Sequence, residues 1–240
     1  MKESHNRFVA HFDMLGMKQA VLRNVEEAWG ALSDINEARK RIYKISFEIK
    51  DRRRIVADRV RTFFFSDTVI IFTKSDEPED LYAILILSSE LFSNSLHRCV
   101  PLRGGIAHGE FFFNLKESLF LGKPLIRAYK IGECAQWIGI VVDQFVAEKA
   151  KLYQIDQEII EWDVPEKDNG IKEEFVLNWP WIFRNNFTLK PVTVDSFYEA
   201  FEPLFGPYHD LRESDKTKYR NTVTFINFAL NNPKLNKSST

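Results

Sequence analysis

Phe8-Val9-Ala10-His11-Phe12-Asp13-Met14-Leu15-Gly16-Met17 decides the fold: an aromatic and β-branched run reads as a buried strand, and the acidic residue and glycine after it read as a tight loop. A matching signal comes later. Val60 to Phe65 (VRTFFF) and Thr68 to Phe72 (TVIIF) are β-rich runs separated by Ser66-Asp67, the pattern of a hairpin with a carboxylate at its tip. As neighbours in one sheet, the two segments would bring Asp13 and Asp67 to the same edge. Either aspartate alone carries little weight, because Asp is common in turns, where its side chain accepts from nearby backbone N–H groups.

Outward from these strands, residues 18 to 50 carry a helical stripe: Ala20, Val21, Val25, Ala28, Trp29 and Leu32, continued by Ile35, Ile42, Ile45 and Ile49. Arg52-Arg53-Arg54 reads as a solvated turn, with a phosphate-facing role as the alternative. Pro78-Glu79-Asp80 opens an apolar helix that runs to about Leu96, its acidic pair placed where the helix dipole favours negative charge. Leu102 to His108 and Glu110 to Asn114 suggest a strand pair around Gly109. Leu125 to Ala135 reads as a helix, Ile138 to Val142 as a buried strand, and Asp143 to Lys151 as a helix. The chain from Trp162 to Pro191 looks irregular, and two helical patterns near 193 to 205 and 214 to 230 precede a polar tail.

This order predicts an α+β class with an antiparallel or mixed sheet and helices on one face. Residues 1–154 form the core, and residues 155–240 a mostly helical C-terminal extension packed on it. No GxGxxG and no Walker A motif occurs, which excludes Rossmann and P-loop readings.

Of 240 residues, 45% are hydrophobic and 14% aromatic, enough for a large core. Phe is frequent, at 21, and Phe63-Phe64-Phe65 and Phe111-Phe112-Phe113 need a core or an interface to cover them. Lys+Arg 33 against Asp+Glu 34 leaves a net charge of -1, so nucleic acid and anionic membrane have no general electrostatic attraction to the chain. Cys99 and Cys134 show no CxxC spacing, which argues against a zinc site or a disulfide framework. The charged start has no apolar signal region after it, and no apolar run approaches the roughly 20 residues that span a bilayer. The expectation is a cytoplasmic protein with both cysteines reduced.

Four stretches together resemble class III nucleotidyl cyclases. Phe8 to Met17 is similar to that family's first strand and phosphate loop, and Phe65-Ser66-Asp67-Thr68-Val69 to its second metal hairpin. Leu102-Arg103-Gly104-Gly105-Ile106-Ala107-His108-Gly109 resembles its Arg-x-Gly-Ile strand, and Gly122-Lys123-Pro124-Leu125-Ile126-Arg127-Ala128-Tyr129 falls at its late helix start. The order is right, over roughly residues 8 to 143. The wording is most similar to the compact bacterial cyclases of Pycsar antiphage systems, which make cyclic UMP or cyclic CMP.

The resemblance implies a ferredoxin-like or palm-like catalytic domain that cyclises a nucleoside triphosphate with two divalent metal ions, Mn²⁺ or Mg²⁺, in a homodimer with shared active sites. It implies Asp13 and Asp67 as metal ligands with Met14 beside them, and Met14, Leu15, Gly16 and Met17 as the phosphate loop. Arg103 is implied as a triphosphate contact, a surface ion pair being the bland alternative. Two departures concern the base: the family's purine-reading Lys and Asp fall at Phe63 and Lys123, which turns the expectation toward UTP. The family's transition-state Asn and Arg fall at Ile126 and Lys130, with Arg127 and Tyr129 as neighbouring substrate contacts. Lys130 keeps a positive charge without the fork geometry of Arg. His11 and His108 receive no role. Competing readings are a non-catalytic nucleotide-binding module of the same fold, a purine cyclase, and a diguanylate cyclase, the last opposed by the absence of a GGDEF-like hairpin.

Overall fold

The computed structural model describes residues 3–49, 52–156, 158–182 and 191–231. Strand β1 (Glu3–Met14) is central because its alternation buries Phe8, Ala10, Phe12 and Met14 on one face. On one side it pairs antiparallel with β5 (Thr68–Thr73), itself paired with β4 (Val60–Phe65); on the other it pairs with β6 (Leu102–Asn114). The eight-stranded sheet runs β4-β5-β1-β6-β8-β10-β9, where β8 is Gly139–Val142, β9 is Ile159–Pro165 and β10 is Ile171–Leu177, with β7 (Leu119–Gly122) paired to β6. Strand β8 (Gly139–Val142) lies parallel to β6 and every other pair is antiparallel, so the sheet is mixed.

Helices α1 (Met17–Arg23) and α2 (Val25–Ile42) replace the single long helix expected to residue 50. Asn24 breaks it: its extended backbone and its side chain, which accepts from the Glu26 and Glu27 N–H groups, start a new helix. Ser46–Ile49 (β2) and Arg52–Ile55 (β3) then form a small separate hairpin, so Arg52 to Arg54 lie in a strand and not in a turn. A short helix α3 (Val56–Arg59) leads into β4, and α4 (Pro78–His97) buries Leu81, Ile84, Leu85, Leu91 and Phe92.

The pair expected around Gly109 is instead one strand, because β1 supplies a partner from Leu102, opposite Met14, to Phe113, opposite Glu3. Helix α5 (Lys123–Cys134) crosses the sheet face opposite that of Phe8, Ala10 and Phe12, so helices cover both faces. Two glycines permit the close approach: a Cβ on Gly105 would lie 2.4 Å from the Ala128 carbonyl oxygen, and one on Gly132 would lie 2.8 Å from the Gly104 carbonyl carbon.

After α6 (Gln144–Tyr153) the chain is not irregular. Strands β9 (Ile159–Pro165) and β10 (Ile171–Leu177) form a hairpin that extends the main sheet through β8, with Ile160, Trp162 and Val164 inward and Glu161 and Asp163 exposed. The mostly helical extension therefore begins with two strands. Helices α7 (Trp179–Ile182), α8 (Val194–Tyr198), α9 (Glu202–Phe205) and α10 (Glu213–Asn231) follow, and part of the stretch read as irregular lies outside the described residues. Helix α10 docks by Phe225 against Trp137 and Trp162, with ring centroids 4.7 Å apart in both pairs, and the Ile138 N–H donates to Thr222 Oγ1 at 2.8 Å.

Candidate active site

Register puts Asp13 opposite Thr68 on β5 and opposite Arg103 on β6. Asp67 sits in the β4–β5 turn, where Ser66 adopts φ 54, and the Met14 N–H donates to the Asp67 carbonyl at 2.9 Å. The two aspartates are thus tied to one end of the sheet, as the hairpin reading anticipates. Burial pushes the Asp13 carboxyl above its usual range; Arg103 opposes this, and the negative charges of Asp67 and Glu133 add to it.

Arg103 does not present its donors outward. It is 4% exposed, and Nη2 donates to Asp13 Oδ2 at 3.3 Å and to Glu133 Oε2, while Nη1 donates to the Glu133 and Ala135 carbonyls at 3.3 Å each. A guanidinium so enclosed holds the Asp13 carboxylate from behind. Glu133, which sequence reasoning missed, also accepts from Lys167 of the β9–β10 turn. It lies one helical turn beyond Tyr129 on α5, and that spacing was its available signal.

The Met14 N–H is used by Asp67 and the Leu15 N–H donates to the Pro101 carbonyl at 2.8 Å, which leaves the Gly16–Met17 segment for a phosphate. Met14 is 2% exposed and its side chain belongs to the core, so no part of that side chain serves a metal. Gly16 has φ 77, and a Cβ there would lie 2.8 Å from the Phe205 ring. Both its left-handed backbone and the Phe205 ring of the C-terminal extension require glycine there.

On the sheet face of Asp13 and His11, Phe63 is half-buried with its ring 4.7 Å from Phe120. Lys123 is exposed at the start of α5, three residues after Phe120. Tyr129 packs edge-on to His11 at 5.2 Å, and burial lowers the His11 pKa. Ile126 and Lys130 are exposed one turn apart on α5, and neither is among the groups that bond to Asp13. Arg127 points elsewhere: it donates to the His108 carbonyl, and Nη1 lies 3.5 Å from Asp143 Oδ2. His108 is five positions along β6 from Arg103, about 17 Å at strand rise, so Arg127 is not a neighbour of the aspartates.

No protein-family model matches the chain, and no curated protein matches it in sequence. Among solved structures, a bacterial light-regulated adenylyl cyclase superposes with a TM-score of 0.54 at 12% identity, over 85% of this chain and 57% of that one. The catalytic core of a rhodopsin-guanylyl cyclase with converted specificity, in complex with ATPαS, gives 0.49 at 11% identity over 73% of this chain and 97% of that one. An adenylate/guanylate cyclase/hydrolase from Silicibacter pomeroyi gives 0.47 at 12% identity over 73% and 96%. The fold is that of class III cyclase catalytic domains.

Proposed function

We propose that the protein is a nucleoside-triphosphate cyclase that makes a 3',5'-cyclic nucleotide and diphosphate, with UTP as the preferred substrate. One observation carries the reading: Asp13 and Asp67 converge at one sheet end, joined by the 2.9 Å bond from the Met14 N–H to the Asp67 carbonyl. Their chemistry fits divalent metal ions. Hard cations take carboxylate oxygens and complete their shell with substrate phosphates and water; burial raises the Asp13 pKa, and the repulsion from Asp67 that adds to it is what a cation would relieve. Among the described residues no three His, Cys, Asp or Glu side chains form a metal cluster.

In the reaction the ribose 3'-oxygen bonds to the α-phosphorus, the α-phosphorus bond to the bridging oxygen breaks, diphosphate leaves, and the hydroxyl proton passes to water. Two metal ions on Asp13 and Asp67 would supply charge neutralisation and acidify the hydroxyl. Arg103 holds the Asp13 carboxylate in place, Gly16 and Met17 face the phosphates, and Lys130 contributes positive charge at the α-phosphate.

A second copy of the chain completes the site in this reading. Phe65, Thr68 and Asp13 share one row of the sheet, and Phe65 is 70% exposed; Ile126 and Tyr129 on α5 are 51% and 48% exposed. Aromatic and apolar area of this kind suits a homodimer interface. Pyrimidine preference rests on Phe63 and Lys123, which stand where the resemblance puts a purine-reading pair: the Phe63–Phe120 rings narrow the space for a two-ring base, and Lys123 can donate to a uracil carbonyl. A role in antiphage signalling is supported by the motif wording alone. A nucleotide-binding module without turnover is the second reading, favoured by Ile126 in place of an amide.

Incubation with Mn²⁺ and equal concentrations of the four NTPs, with products identified by mass spectrometry, tests the reading. Dominant cyclic UMP supports it. Dominant cyclic AMP or cyclic GMP overturns the base preference, and no cyclic product with any NTP overturns the cyclase.

A further inference from the structure

Arg103 is anchored at the C-terminal end of α5. Nη1 donates to the Glu133 and Ala135 carbonyls at 3.3 Å each and Nη2 to the Glu133 carboxylate, at the helix end whose free carbonyls favour a cation. The bond from Nη2 to Asp13 Oδ2 is 3.3 Å long, against about 2.7–2.9 Å for a close charged pair. Asp13 is therefore held loosely, by a charge that it shares with Glu133.

The other Glu133 oxygen, Oε1, accepts from Lys167 Nζ. Backbone contacts bring Lys167 there: its N–H donates to the Cys134 carbonyl at 2.9 Å, the Gln136 N–H donates to the Pro165 carbonyl at 2.7 Å, and Ala135 pairs with Glu166 in an isolated bridge. The β9–β10 turn is thus fastened to the end of α5, which distinguishes this pair from two long surface side chains that meet without a framework. One guanidinium nitrogen serving two carboxylates makes them competitors. A neutralised Glu133 leaves more of the Arg103 charge to Asp13, and an unscreened Glu133 draws that charge away and leaves Asp13 more negative.

We propose that Glu133 and Lys167 are positioning residues that set, through Arg103, how strongly Asp13 holds a divalent cation. The inference rests on the reading of Asp13 as a metal ligand, and it gives the β9–β10 hairpin of the C-terminal extension a part in the site. Two substitutions should act with opposite sign. Glu133→Gln removes the competitor and turns the whole guanidinium charge on Asp13, so Mn²⁺ should bind about three- to tenfold more weakly; Lys167→Met unscreens Glu133 and should tighten binding about two- to threefold. A purely structural role would weaken binding in both. The side chains of Glu133 and Lys167 are 35% and 42% exposed, so neither change opens the core.

Mn²⁺ binding by the full chain, read from the EPR signal of the free ion at low ionic strength, tests this, with circular dichroism as the check on folding. The wild type is expected to bind and Asp13→Asn to lose that binding; absence of Asp13-dependent binding overturns the metal reading and this inference with it. Where that binding is present, an unchanged affinity in Glu133→Gln, or shifts of the same sign in both variants, overturns the relay alone. If Glu133→Gln does not fold, Lys167→Met decides: tighter binding supports the relay, and unchanged or weaker binding overturns it. In a Glu133→Gln background Lys167→Met should lose most of its effect. A full effect there would assign it to a direct repulsion between Lys167 and the cation and overturn the relay.

Discussion

Arg103 Nη2 donates to Asp13 Oδ2 across the β1–β6 pair at 3.3 Å, from a side chain that is 4% exposed, while the same nitrogen also bonds Glu133. The arginine therefore belongs to the scaffold under the site. Arg103→Ala strands two partly exposed carboxylates beside an emptied buried position, and a loss of about 2–3 kcal/mol in unfolding free energy is expected. Urea denaturation measures it. A substitution that left stability unchanged and only raised KM would return Arg103 to the triphosphate.

Gly16→Ala imposes two penalties, a left-handed backbone at φ 77 and a clash with the Phe205 ring. A loss of about 1–3 kcal/mol is expected. Phe205→Ala in the same chain should relieve only the clash, so the double variant should be less destabilised than the sum of the singles. Strict additivity, measured by thermal denaturation of all four proteins, would count against the contact.

Midway along β6, opposite Phe8, His108 Nε2 lies 3.0 Å from Asp76 Oδ2, and Lys149 donates to the same oxygen at 3.2 Å. Burial lowers the His108 pKa; hydrogen bonding to Asp76 opposes that, and Lys149 and Arg127 reinforce it. Because the folded pKa lies below the ordinary histidine value of about 6.5, folding favours the neutral form. Its contribution is present above that pH and is lost as pH falls through the folded pKa. His108→Gln should flatten the fall in melting temperature between about pH 6.5 and 5. An unchanged slope would show that other groups cause it.

The exposed row of Phe65 with the outer side of α5 should disappear into a homodimer. Phe65→Glu and Ile126→Glu should each shift the protein toward monomer in light scattering, with little change in the monomer's stability because both side chains are exposed. A wild-type protein that is monomeric at micromolar concentration would contradict the shared-site arrangement.

The placement of the candidate site was legible because its signals are local. A strand followed by Asp13 and Gly16, and a hairpin tipped by Asp67, are period-two patterns with turn chemistry, and one pairing rule brings them together. What was illegible depended on distant partners. The burial of Arg103 follows from Glu133 and Ala135, and the reason for Gly16 follows from Phe205. Strand β9 was overlooked although Ile160, Trp162 and Val164 alternate with Glu161 and Asp163, because the Trp, Pro and Asn content after Trp162 masked the period. The single helix expected to residue 50 failed at Asn24, whose cap is visible in sequence only when a helix is assumed to begin there.

The central claim is that Asp13 and Asp67 act together as the metal site of a cyclisation. The most direct measurement is cyclic nucleotide and diphosphate formation by the full chain at saturating Mn²⁺, for the wild type and for Asp13→Asn and Asp67→Asn shown to be folded by circular dichroism. The account predicts product from the wild type and a loss of at least about a hundredfold, ~2.7 kcal/mol in the barrier, in each variant. Near wild-type turnover by either folded variant would contradict it.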